Sequence, residues 1–401
     1  MRISTGMMYQ LNVARMAEQQ NALLKTQQSI TTGRRIATPS DDPVGAAQAL
    51  NVSATDGQNT QYATNRDSAK ASLGLKEGTL GGVTSLIQDI QDTVIAAGNP
   101  TYTDTERRFL AGEVRSRLQQ LIGLANTTDV SGQPMFSGFQ RGQPFSVAGG
   151  QVEYQGDSGH REIQVAAGRR MAVSDSGRDV FETIRNGNGQ FTTAAAAGNT
   201  GGGTISAGSV SDPTLATGHT YQLNFSVAAG VTTYSVVDVT SGTTLSSGNP
   251  YTSGNVIAFA GIRFEVEGAP ASGDSFNVAP SANQSLFSTL ENLAHVLETT
   301  AVGVPGQAAL GNGLTAAHSA LDNALEHVLK VRAATGANLK ELDVLDTVGD
   351  DLHLQFQQTL SSLQDTDYNE AISRLARQQL GLEAAQQSFA RVMKLSLFDY
   401  L

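Results

Sequence analysis

Histidine is the side chain best suited to metal or acid–base work near neutral pH, and this chain has six, at 160, 219, 295, 318, 327 and 353. Their spacing suits neither role. None forms an HExxH pair or another close pair on one helix turn, so no metal ligands are expected. His295, His318 and His327 fall in helical stretches and read as half-buried surface groups. The glycine run GNTGGGT at 198–204 has no Lys-Ser/Thr after it, and without that lysine it reads as a flexible turn rather than a phosphate loop. The acid pairs Asp41-Asp42 and Asp365/Asp367 stand beside expected helix starts, where a carboxylate accepts free backbone N–H groups. No GxSxG elbow is present. Asp212, Asp238, Glu265, Glu267 and Asp274 could supply paired carboxylates for glycoside cleavage, but nothing in their spacing fixes two of them across a bond, and they read as a solvated surface. Cysteine is absent, which excludes disulfides and thiol chemistry. No catalytic residue, cofactor site or metal site is expected, and the chain reads as non-enzymatic.

The informative residues are apolar, and they lie at the two ends. Val13, Met16, Gln20, Leu23, Gln27 and Ile30 step by three and four. Ile372, Leu375, Gln379, Leu382, Gln386 and Phe389 step identically. A 3-4 step puts each set on one narrow helical stripe, too thin for a globular core and suited to a partner helix. Paired side by side, the two ends would bring their Gln layers together. Met8 and Leu11 near the first stripe, and Val392, Leu397, Phe398 and Leu401 near the second, are counted with them. These eighteen residues are the expected assembly interface.

Composition agrees with a protein built for assembly. At 401 residues there is room for two or three domains. Aromatics are only 6% and tryptophan is absent, while glycine reaches 42 residues, so the cores should be modest and the turns many. The net charge of -11 argues against a nucleic-acid partner. Residues 1–36 carry +4 and 371–401 carry +2, which leaves -17 on the body. Two ends of like sign gain nothing electrostatically from each other, so their pairing must rest on apolar contact. No run approaches the ~18 apolar residues of a membrane span, and the opening residues lack the apolar core of a secretory signal.

The elements that carry the stripes can be read in order. A first helix is expected over 5–32, stopped at Gly33. After a linker at 34–39, Ser40-Asp41-Asp42-Pro43 starts a long second helix. It holds a heptad of Leu73, Leu80, Ile87 and Val94, and as a continuous run over 43–97 it would be roughly 80 Å long. Asn99-Pro100 ends it, and a Thr103/Glu106 capping box starts a third helix that ends near 126. Period-2 alternation from about 130 suggests hairpins, followed by a β-rich stretch at 187–280 with strands at 221–228, 232–239, 256–260 and 262–266. Helical stripes return at 283 and run to the C-terminal seam past a joint at 365–367. The expected fold is mainly α with a β insertion. N- and C-terminal arms form a long antiparallel helical rod, the termini a coiled coil, and a small β domain sits at the bend. Three domains are expected: terminal coiled coil (1–36 and 371–401), helical rod with hairpins (40–186 and 281–366), and outer β domain (187–280).

Four runs carry a family resemblance: MRISTGMMYQ at the start, TTGRRIATPSDDPVGAAQAL at 31–50, ANTTDVSGQPMFSGFQ at 125–140 and LARQQLGLEAAQQSFARVMKLSLFDYL at 375–401. Together they resemble the flagellin family and, within it, the hook-associated branch; the SLFDYL ending is similar to that branch rather than to filament flagellins. The resemblance implies a structural adaptor at the hook–filament junction of the bacterial flagellum, extracellular, exported through the flagellar type III channel without a cleaved signal. It implies as partners the first hook-associated protein, flagellin, further copies of the chain in a ring, and an export chaperone. A filament subunit is the alternative within the family, and a secreted adhesin using the β region the alternative outside it.

Overall fold

The computed structural model describes residues 5–129, 131–299 and 301–398, with side chains for residue 7 and from 9 to 391 within that span. Among these residues seven helices alternate with one β-rich stretch: α1 (Thr5–Thr32), α2 (Pro43–Ala97), α3 (Asp104–Ala125), the single turn α4 (Gly177–Phe181), α5 (Leu286–Glu298), α6 (Gly303–Gln364) and α7 (Tyr368–Phe398). The fold is mainly α with an antiparallel β insertion. The expected start of α3 is realised as a full capping box, in which Thr103 accepts from the Glu106 N–H and Glu106 accepts from the Thr103 N–H.

The chain divides into two units, Met1–Thr64 with Val344–Leu401, and Asn65–Asp343; α2 and α6 contribute to both. In the second unit α2 and α6 run antiparallel, with Arg332 on Glu77 (2.6 Å) and Gln91 on Asp322 (2.7 Å). The α2 heptad of Leu73, Leu80, Ile87 and Val94 is buried along its length. Above Leu80 it shares one core with Val114, Leu118 and Leu121 of α3, Leu286, Leu290, Leu293 and Leu297 of α5, and Leu314, Leu321 and Val328 of α6. Four phenylalanines fill one end of that core. Phe145 meets Phe287 at 4.7 Å and Phe181 edge-on at 5.6 Å, and Phe136 meets Phe181 at 5.3 Å. These spacings are those of attractive edge and tilted pairs.

The β insertion holds a larger and a smaller antiparallel sheet. The larger runs Thr243–Pro250, Val231–Asp238, Tyr221–Ala228, Ser275–Pro280, Phe191–Ala195 in spatial order. The smaller pairs Val256–Phe259 with Ile262–Glu267, whose other edge meets Thr204–Ile205 and Ser209–Val210. Leu223, Phe225 and Phe276 from one sheet and Phe264 and Val266 from the other share a second core. The four strands expected from alternation lie within a residue of their expected ends. Those at Phe191–Ala195, Thr243–Pro250 and Ser275–Pro280 were not foreseen. TTLSSGNP buries nothing, and FTTAA sits in an alanine-threonine run, so neither shows an apolar alternation.

Three of the five carboxylates considered for glycoside cleavage have local structural work. Asp212 caps a short 3-10 turn through the Thr214 N–H, and buried Asp274 accepts from the N–H groups of Thr200, Gly201 and Ala271. Asp238 binds His219 Nδ1 at 2.7 Å and the N–H groups of Thr240 and Ser241. Burial pushes that carboxyl up, but the His219 and Ser241 contacts outweigh it and hold it at about 2.

Candidate assembly surface

The two terminal helices pair antiparallel. Tyr9 and Phe389 meet at one end with ring centroids 5.5 Å apart; Gly33 and Tyr368 lie together at the other. Gly33 has φ +71°, the left-handed conformation that stops α1 at no steric penalty. A Cβ there would also lie 3.1 Å from the Tyr368 hydroxyl. Asp367 starts α7 by accepting from the N–H groups of Asn369 (2.9 Å) and Glu370 (3.1 Å).

The seam between them differs from the expected stripe. Met16, Leu23 and Ile30 are part-buried, as are Leu375, Leu382 and Phe389, each set spaced by seven. The alternate layer is one residue earlier than expected on both helices. Asn12 and Thr26 lie in it on α1, and Ala371, Gln378 and Ala385 on α7. Val13, Gln20, Gln27, Ile372, Gln379 and Gln386 are exposed, so the Gln layers do not meet within the chain. Either choice preserves the 3-4 step, and the structure places Thr26, Ala371 and Ala385 in this layer in place of Gln27, Ile372 and Gln386. Leu11 is exposed as well, whereas Met8, Val392, Leu397, Phe398 and Leu401 lie outside the described side chains.

Where the two linkers meet, a short clamp ties the helices of this unit. The Thr366 N–H donates to Gly33 O (2.8 Å) and the Arg35 N–H to Gln364 O (2.6 Å). The Arg35 guanidinium donates to Leu363 O at 2.6 Å, satisfying one of the open carbonyls at the end of α6. Its other arm reaches Asp42 (3.3 Å), which caps α2 through the Gly45 N–H. Asp41 accepts from the Thr38 N–H and hydroxyl and from Lys25, contacts that hold its carboxyl at about 2. Both acids of the Asp41-Asp42 pair therefore organise the linker.

What this unit lacks is an apolar interior. Among the described residues its buried hydrophobic side chains are Ile36, Ala49 and Ala371. Leu24, Leu50, Leu354, Ile372 and Leu380 are all more than half exposed, Leu50 and Leu380 at 70%. Single exposed apolar residues are ordinary, but here five large ones stand exposed on helices with no core beneath them. Among the described residues no cluster of His, Asp and Glu could hold a metal ion, and no helix is long and apolar enough to cross a membrane.

Residues 3–141 match the family model for the bacterial flagellin N-terminal helical region. The flagellar hook-associated protein 3 of Salmonella typhimurium is 30% identical over 400 residues, covering 100% of this chain and 99% of that one. The chain belongs to the flagellar hook-associated protein 3 family. A crystal structure of hook-associated protein 3 from Legionella pneumophila superposes with a TM-score of 0.75 at 30% identity, covering 78% of this chain and 98% of that one. Similarity to phase 1 flagellin of Salmonella naestved is confined to 135 residues at 23% identity, 34% of this chain and 27% of that one. Hook-associated protein 3 relatives thus match end to end, while flagellin matches one segment.

Proposed function

We propose that the chain is a non-enzymatic structural adaptor between the flagellar hook and the flagellin filament, exported to the cell exterior and assembled as a ring through its terminal helices. The observation that carries this reading is the coreless unit, whose paired α1 and α7 turn leucine and isoleucine outward. Such a surface is completed only by neighbours in an assembly. We assign 1–36 with 371–401 to that assembly role, 40–186 with 281–366 to the helical body, and 187–280 to an outer β domain. The partners are copies of the chain, the first hook-associated protein on the hook side, flagellin on the filament side, and a chaperone that covers the terminal helices before export. The eighteen residues of the expected interface remain its candidates, with Leu11, Val13, Ile372 and the four glutamines available to neighbours and Met16, Leu23, Leu375 and Leu382 joining the two helices.

Deleting the gene tests this reading. Bare hooks with unpolymerised flagellin in the medium are expected. Loss of the flagellin band itself would mean a filament subunit instead, and normal flagella would contradict both.

A further inference from the structure

Phe139 is 66% exposed, yet its backbone is fixed. Asp157 accepts from the Phe139 N–H (3.0 Å) and the Gly159 N–H (2.7 Å), and its own N–H donates to Ser137 O (3.2 Å). Gly138, at φ +68°, lies so close to the Asp157 carboxylate that no Cβ would fit, and the Phe139 ring occupies the space that a Gly159 side chain would take. Tyr154 locks the base of the loop by donating toward Asp157 O (2.7 Å) and Phe136 O (3.0 Å). A large apolar ring held outward on a rigid loop has little conformational entropy left to lose on binding, the property of an interface anchor. Two residues on, Arg141 is exposed and has no ion pair among the described residues.

The same unit carries an open groove of about 320 Å³ between α3 and the hairpin at 145–154. Leu118, Ile122, Val147 and Val152 line it together with the polar Arg115, Ser116, Gln119 and Glu291. An apolar cavity of about 150 Å³ accepts a benzene ring, so there is room for one phenyl group. Arg115 is engaged by Glu298 through two bonds of 2.9 and 2.8 Å. Glu291 has no ion pair among the described residues; burial raises its carboxyl above the usual range in spite of the Val152 backbone N–H and Arg115 nearby. An added cation would therefore be favoured there.

We propose that Phe139 of one copy seats in the groove of the next copy, with its Arg141 against that copy's Glu291. Anchor and groove are built from different residues of one chain, so the contact is head-to-tail, the kind that repeats around a ring. Size and charge both match: a ring meets the apolar side chains of the groove, and a cation without an ion pair meets an acid without one. The inference rests on the reading that copies of the chain lie side by side at the junction.

The chain has no cysteine, so introduced pairs report only the contact they span. Gln140→Cys and Gln119→Cys, beside the anchor and in the groove lining, are combined in one chain that replaces the natural one. Oxidised flagella are then run without reductant. A ladder of dimers and larger multimers in the double variant, with monomers in either single variant, is expected. Filaments on the hooks with the double variant still monomeric would overturn the contact and leave the junction reading standing; bare hooks rescued by no form of the chain would count against the junction reading. A photo-cross-linker attached to the thiol of the Gln119→Cys single variant should give a product of twice the chain's mass, and a product with flagellin or a hook protein would overturn the proposal. The charge pair is tested independently of cysteine. Arg141→Glu should cut the number of filament-bearing cells about tenfold, in line with the coupling of close interface charges, and adding Glu291→Arg should restore it. A harmless single reversal, or no rescue by the second, would overturn the pairing.

Discussion

At the scale of residues, one arginine and one glutamine carry most of the local argument. Arg35 holds the end of α6 through Leu363 O and the start of α2 through Asp42. Because it is half exposed, Arg35→Ala is expected to lower the stability of the terminal unit by only about 1 kcal/mol, read from hydrogen exchange of α1 and α7. Unchanged exchange would mean that the clamp contributes nothing. Gln378 lies in the α1–α7 seam with a buried Oε1 that has no hydrogen-bond partner among the described residues. Gln378→Leu should therefore strengthen the pairing by about 1 kcal/mol. Gln20→Leu with Gln379→Leu should leave the pairing unchanged, since both residues face away from the seam. Increased protection of α1 in the second variant and not in the first would show that the seam runs through the other glutamines.

At the scale of elements, the linker of the terminal unit answers acid and the phenylalanine core of the second unit answers truncation. Asp41 is depressed from 3.8 to about 2, so its contribution is present above pH 4 and lost as pH falls from about 4 to 2. Exchange protection of the linker at 34–42 should fall through that window; Asp41→Asn should weaken the dependence, and what remains should follow Asp42, whose carboxyl the Gly45 N–H and Arg35 also hold low. The second unit depends on packing. Phe287→Ala, which empties the centre of the phenylalanine cluster, should cost about 3–5 kcal/mol by calorimetry. The helices were legible in sequence because a heptad, a capping box, Pro43 and Gly33 each act within a few residues. The ends of α1 and α2 follow from those signals alone. The face of α1 was not, because stripes through Asn12 and Thr26 or through Val13 and Gln27 have equal spacing, and only the opposing helix separates them. The strand Thr243–Pro250 escaped for a related reason: it is held by backbone bonds to its neighbour and buries no apolar side chain that could mark it. The clamp escaped because Arg35 and Leu363 are more than three hundred residues apart in the chain.

At the scale of the whole molecule, the chain places its apolar residues in two ways. In Asn65–Asp343 they are buried in two cores; in the terminal unit they face outward. A subunit that must remain soluble before assembly and bind firmly afterwards is consistent with that division, since exposed leucines on a thin helix pair add little to folding and much to association. The most direct measurement replaces Leu24 and Leu380, the most exposed leucines of α1 and α7 among the described residues, with aspartate in a strain lacking the natural chain. Melting temperature of the purified protein, its amount in the medium, and filaments at the hook tips are recorded together. Melting and export equal to the unsubstituted chain, with bare hooks and free flagellin in the medium, are expected. Full-length filaments on every hook would contradict the claim that this surface exists for assembly.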